Sequence, residues 1–227
     1  MRGAVDEGRA VMRPRIAVLD YEAGNLRSAE KALVRAGADA FVTASADEAA
    51  QADALVVPGV GHFGQCVRQF TATGLEPLVR RWVAEDRPLL GICVGMQILY
   101  KDSEEDPNAT GLGVLPGRVR RLPAGLTVPH MGWNTLRAVL DDPLLDGVAG
   151  EQCYFVHSFY AEPSDDAHVA ATCDYGMAFP CVVRVGRTVG TQFHPEKSSN
   201  AGGRLLANFV KGVLAEKVRA EKARVCR

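Results

Sequence analysis

The first hundred residues alternate between short runs that are apolar throughout and longer stretches in which apolar residues return every three or four positions. Arg15-Ile16-Ala17-Val18-Leu19 is of the first kind and predicts a buried strand. Past a Gly24-Asn25 turn, Leu26 to Ala36 carries a helical period that stops at Gly37. Ala40 to Thr43 predicts a second strand, Ser45-x-x-Glu48 matches a capping box, and Ala54 to Val57 predicts a third strand ended by Pro58. A helical stretch from Leu75 to Glu85 then leads into the apolar run Pro88-Leu89-Leu90. Strands without polar alternation need cover on both faces, so the pattern predicts a mostly parallel sheet with helices on either side.

Beyond Tyr100 the rhythm changes. Lys101 to Thr110 is a polar loop, and short runs near Val114, Val128, Tyr154, Val169 and Val182 predict antiparallel hairpins and edges. Val189 to Phe193 predicts one more strand, ended by His194-Pro195. From about Ala201 to Val218 a closing helix presents Leu205, Leu206, Phe209, Val210 and Val213 on one face. The predicted fold class is α/β: one domain over residues 14–218, with a mostly parallel central sheet flanked by helices and a smaller antiparallel extension. Residues 1–13 are charged and aperiodic and read as a loose leader, and 219–227 as a basic tail.

Composition narrows the function classes. The net charge of −1, with both signs interspersed, gives no sign of a nucleic-acid partner. No apolar run approaches a membrane span, and residues 1–13 lack a signal-peptide core, so the expectation is a cytoplasmic protein with no membrane partner. Six cysteines with no CxxC pair and no framework spacing argue against disulfides or a zinc site and for reduced thiols. Lysine and arginine recurring from Lys211 to Arg227 fit a solvated helix end better than a binding patch.

Within this frame Gly91-Ile92-Cys93-Val94-Gly95 stands between a predicted strand and the helical Met96-Gln97-Ile98-Leu99, the layout of a nucleophile elbow. Flanking glycines permit a sharp reversal, and a helix start offers N–H groups that favour a thiolate. A free cysteine is also a common small core residue, so the elbow alone leaves both readings open. His194-Pro195-Glu196 can supply a base and a group to orient it, with both side chains on one face if the chain stays extended past its strand; a capping histidine beside a solvated glutamate is the plainer use. Pro58-Gly59-Val60-Gly61-His62-Phe63-Gly64 contains Gly-x-Gly-x-x-Gly, with Glu85 at a suitable distance for a dinucleotide fingerprint. That fingerprint belongs on the first strand of its unit, and Pro58 interrupts the turn, so aiming N–H groups at an oxyanion beside the cysteine is the better use of this backbone.

Pro58-Gly59-Val60-Gly61, Gly91-Ile92-Cys93-Val94-Gly95-Met96-Gln97 and Gln192-Phe193-His194-Pro195-Glu196, in that order, resemble the oxyanion, nucleophile and base motifs of the class I (triad) glutamine amidotransferases. Within that family, Asp20-Tyr21 with Gly24 to Ser28, Pro129 to Asn134, and Tyr154 to Ser158 are similar to the glutaminase subunits of imidazole glycerol phosphate synthases, over Arg15 to about Leu214. The resemblance implies the family's fold and glutamine hydrolysis by a Cys93, His194, Glu196 triad without cofactor or metal. It places the oxyanion hole at Val94 and the Val60-Gly61 peptide, and glutamine at Gly59, Gln97, Glu105, His157 and Ser158. It also implies passage of ammonia to a (β/α)8 cyclase of histidine biosynthesis in a 1:1 heterodimer, with Asn25, Trp133 and Lys197 facing that partner. Glu22, where a small residue is common, and His62, where alanine is, depart from the pattern, as does the milder Val94 for leucine. Another triad amidotransferase, a stand-alone glutaminase, and a scaffold without turnover are the competing readings.

Overall fold

A computed structural model describes residues 12–225, and in it the wholly apolar runs become the middle of one sheet. The first half of the chain forms β1 (Arg15–Leu19), α1 (Leu26–Arg35), β2 (Asp39–Thr43), α2 (Ala46–Ala50), β3 (Ala54–Gly59), α3 (Phe63–Ala72), α4 (Glu76–Ala84), β4 (Leu89–Cys93) and α5 (Val94–Gln97). There follow β5 (Asp102–Ser103), β6 (Gly117–Arg121), β7 (His130–Thr135), β8 (Arg137–Ala138), β9 (Gln152–His157), β10 (Phe159–Pro163), β11 (Val169–Asp174), β12 (Ala178–Val185), β13 (Thr188–Thr191) and α6 (Ser199–Val225).

Eight strands pair in the order β2-β1-β3-β4-β13-β12-β11-β8. The five from β2 to β13 are parallel, and β12, β11 and β8 extend the same sheet antiparallel. β10-β6-β5 and the pair β7-β9 are separate small sheets. β3 and β4 are buried along their whole length, as their lack of polar alternation requires. Leu205, Leu206, Phe209, Val210 and Val213 of α6 are buried as their spacing predicts, each such side chain contributing about 1.5–3 kcal/mol. Ser45 caps α2 by accepting from Glu48 N at 3.2 Å.

Several boundaries differ from the sequence reading. β3 runs through Pro58 to Gly59, with Pro58 opposite Ile92. Pairing of β3 with β1 has already stopped at Val56, and the Pro58 carbonyl instead accepts from the Tyr21 hydroxyl just after β1, so the missing proline N–H forfeits no ladder bond. Val114 and Val128 lie in loops, the following strands opening only after Pro116 and Pro129. β13 stops at Thr191, short of Phe193. α6 continues beyond Val218 because no Gly or Pro interrupts it between Val213 and Val225, so residues 219–225 carry on the helix. Residues 1–11 of the expected leader, with Cys226 and Arg227 of the tail, lie outside the described residues. Cys66, Cys93, Cys153, Cys173 and Cys181 are free and buried.

Candidate active site

β3, β4 and β13 are neighbours in the parallel part of the sheet, so Gly59-Val60-Gly61, Cys93 and the chain leading to His194 emerge along one edge. Cys93 ends β4 with φ 53° and ψ −118°. Such a conformation costs a non-glycine residue about 1–3 kcal/mol and survives only where its surroundings enforce it. Here the enforcement is backbone packing. A Cβ on Gly95 would lie 1.9 Å from the Val57 carbonyl oxygen, one on Gly91 2.7 Å from Met96 Cα, and one on Gly59 2.2 Å from Gly95 N. The glycines around Cys93 let α5 sit directly on β3 and β4, and the tight reversal leaves the buried Cys93 at the wall of a cleft. Gly64 packs against Asp106. The Gly-x-Gly-x-x-Gly spacing is thereby accounted for without a dinucleotide.

His194 and Glu196 do meet, but not on an extended strand. His194 caps a single 3₁₀ turn, Pro195–Lys197, and Glu196 folds back within it, so that His194 Nδ1 and Glu196 Oε1 are 2.8 Å apart. Ser198 Oγ donates to His194 O at 2.7 Å and accepts from Tyr154 N at 2.9 Å, fastening the turn to β9. Both side chains are 1% exposed. His194 Nε2 makes no hydrogen bond among the described residues and lines the same cleft as Cys93. Burial, the largest single influence, pulls the His194 pKa down, but the neighbouring Cys93 and Glu196 together outweigh it and raise it to about 9. The proton is therefore held on the imidazole at neutral pH.

The cleft encloses about 440 Å³. Cys93, Val94, Gln97, Val60, Gly61, Glu105, His157, Ser158, His194, Asn25 and Lys197 all line it, joined by Pro129, Val156 and Phe159. Gly59 does not; it lies beneath, against Gly95. Trp133 is also outside the cleft, half exposed and edge-on to Tyr154 at 6.0 Å between ring centres. Glu105 Oε2 accepts from Phe63 N at 2.7 Å, tying its loop to the start of α3. His62 is exposed and caps α3, its Nδ1 accepting from Gly64 N at 3.2 Å. Glu22 has φ 64°, which explains why a small residue suits that turn.

Two buried groups beside the cleft escaped the sequence reading of site residues. Gln192 Nε2 approaches Cys93 Sγ at 3.7 Å. His130 Nδ1 lies 3.0 Å from His157 Nε2, His157 Nδ1 lies 2.9 Å from Phe159 O, and Asn134 Nδ2 lies 3.3 Å from His130 Nε2. A carbonyl only accepts, so His157 donates from Nδ1 and accepts at Nε2, and His130 repeats the pattern. Both rings are neutral in this chain of bonds. Burial agrees: it lowers the His157 pKa to about 3 and shifts that of His130 in the same direction. Nothing in local periodicity marks these residues, because the contacts that bring them to the site, His130 with His157 and Gln192 with Cys93, span 27 and 99 positions.

Residues 17–213 match the family model for glutamine amidotransferase class-I. The chain belongs to that family. It is 48% identical over 200 residues to imidazole glycerol phosphate synthase subunit HisH of Methanothermobacter thermautotrophicus, covering 88% of this chain and 100% of the relative. The Bacillus subtilis subunit of the same name is 44% identical over 210 residues, covering 90% and 99%. A solved glutamine amidotransferase structure superposes with a TM-score of 0.70 at 26% identity, over 87% of this chain and 98% of that one. The family's mostly parallel α/β architecture agrees with the sheet order described above.

Proposed function

We propose that this protein is the glutaminase subunit of an imidazole glycerol phosphate synthase, hydrolysing L-glutamine to L-glutamate and ammonia. The observation that carries the reading is the buried His194–Glu196 pair, which opens on the same cleft as a cysteine held at positive φ. The Cys93 sulfur attacks the side-chain carboxamide carbon. A C–S bond forms, and the carbonyl oxygen becomes an oxyanion received by the N–H groups of Val94 and the Val60-Gly61 peptide, each worth about 3 kcal/mol. His194 hands its proton to the amide nitrogen, the C–N bond breaks, and ammonia leaves a thioester. His194 then takes a proton from water, hydroxide adds to the thioester, and collapse expels the thiolate and releases glutamate. Glu196 keeps the imidazole in its Nδ1–H orientation throughout. Gln97, Glu105 and the backbone at His157-Ser158 hold the amino-acid head group, whereas Gly59 acts by admitting Gly95.

Ammonia that escaped into water near neutral pH would be protonated and lose its lone pair, so hydrolysis is useful only when coupled to a neighbouring consumer. The relatives are named as subunits of a synthase, and the partner proposed here is its cyclase subunit, in a 1:1 heterodimer in the cytoplasm. Asn25 and Lys197 at the cleft, with the exposed Met131 and Trp133 two residues apart on β7, form the facing surface. No helix among the described residues is long and apolar enough to cross a membrane. The test is glutamate release with and without the cyclase, alongside a glutamine-dependent cyclisation assay. Wild type should release glutamate faster with the cyclase, and Cys93→Ala should release none above background. Wild-type rates in Cys93→Ala would overturn the mechanism, and indifference to the cyclase would overturn the partner.

A further inference from the structure

The interior of the site holds an amide whose orientation can be deduced. Gln97 Nε2 lies 2.9 Å from the Phe159 carbonyl oxygen and 3.0 Å from Gln192 Oε1. Phe159 O also receives the Nδ1–H of His157. Because that carbonyl can only accept, the atom of Gln97 facing it must be the NH2 group, and its second hydrogen must go to an oxygen of Gln192. Gln192 therefore turns its oxygen to Gln97 and its own NH2 to the Cys93 sulfur, 3.7 Å away. Gln192 is fully buried and Gln97 2% exposed, so neither amide can trade these bonds for water.

We infer that Gln192 is a working part of the hydrolytic site: its side-chain N–H, aimed by Gln97 and the Phe159 carbonyl, is the hydrogen-bond donor that stabilises the Cys93 thiolate. This rests on Cys93 being the nucleophile. The donor acts at two moments. It favours the charged sulfur before attack, alongside the His194 imidazolium in the same cleft. It receives the charge again when the thioester collapses, at the step where the C–S bond breaks and its electron pair returns to sulfur. A donor fixed in a dry site needs no reorganisation at either moment. The deduction also gives Gln97 a second duty. With both its hydrogens committed inward, only its Oε1 remains to meet a substrate.

The test is the pH dependence of Cys93 alkylation by iodoacetamide, followed by mass spectrometry of the peptide containing Cys93, in the full-length protein. Two variants are compared with wild type. Gln192→Met keeps the length of the side chain but has no donor, and Gln192→Asn draws the amide back by one methylene. Tyr21, Cys66, Glu105, His130, His157, His194, Glu196 and Lys197, the titratable groups that surround the sulfur or line the cleft, are unchanged in both. The midpoint of alkylation should move up by about one pH unit or more in Gln192→Met and in the same direction in Gln192→Asn, as expected for loss of one hydrogen bond to a charged group. Should one variant fail to fold, the other decides the matter. Unmoved midpoints, even with reduced glutamine hydrolysis, would mean that Gln192 only packs and would overturn the inference. A wild-type Cys93 that resists alkylation throughout would instead overturn the nucleophile assignment on which it rests.

Discussion

Glu196 gives one carboxylate oxygen to His194, and the other has no hydrogen-bond partner among the described residues, in a side chain that is 1% exposed. A buried carboxylate in that condition is tolerable because the imidazole beside it carries the opposite charge. That carboxylate is one of the neighbours that hold the proton on His194, so neutralising it should loosen that proton. In Glu196→Gln burial becomes the dominant influence on His194, so its titration, followed by NMR of the ring protons, should move well below 9. Glutamine hydrolysis should fall at least ~10²-fold, since a neutral amide no longer supports the imidazolium. An unchanged His194 titration would show that Cys93 alone holds the proton. At this scale Cys93 and His194 stood out as candidates, because each stands in an uncommon local setting of glycines or at a strand end. Gln192 and His130 were not, because they gain their roles from partners on other strands.

At the level of elements, the tightest demand is the seat of α5 on β3. In Gly95→Ala the new Cβ would meet the Val57 carbonyl, a backbone atom that cannot swing aside. The substitution should lower stability by about 3 kcal/mol in urea unfolding and abolish selective alkylation of Cys93. Gly203, in α6, provides the contrast: a Cβ there meets nothing within 4 Å. Gly203→Ala should stabilise by about 0.5–1 kcal/mol through helix propensity alone. Equal effects of the two substitutions would show that general glycine flexibility, rather than close approach, governs the elbow. The strands of the parallel sheet were legible from their unbroken apolar runs, as were the buried faces of the helices. The antiparallel part was legible in places: Tyr154, Val169 and Val182 fall in antiparallel strands, whereas Val114 and Val128 look like strands locally but lie in loops, the real strands opening just after Pro116 and Pro129.

The whole molecule is stabilised from opposite sides of pH 6.5 by two histidines. His157 is buried and neutral with its pKa lowered to about 3, so between pH 6.5 and 3 the unfolded chain binds the proton that the folded one refuses, and stability falls as pH falls. His194, raised to about 9, does the reverse: its contribution is complete below pH 6.5 and is lost as pH climbs through 9. The urea midpoint should therefore decline on both sides, and His157→Asn should flatten the acid limb while leaving the alkaline one in place. An acid limb as steep in His157→Asn as in wild type would assign it to other groups.

The sequence by itself determined the family, the alternation of strands and helices, and the residue types proposed for the triad. These depend on short-range facts: apolar runs, glycines where backbone must pass backbone, and a cysteine between them. The tertiary structure alone decided that Cys93 and His194, 101 positions apart in the sequence, share a cleft. Strand order, with β13 entering beside β4, brings their ends together, and strand order is a global solution to burying both faces of a sheet. The 3₁₀ turn that folds Glu196 onto His194, and the amide of Gln192 turned to the sulfur, follow from the same cause. Each is set by hydrogen bonds to segments far away in the chain, which no local pattern records.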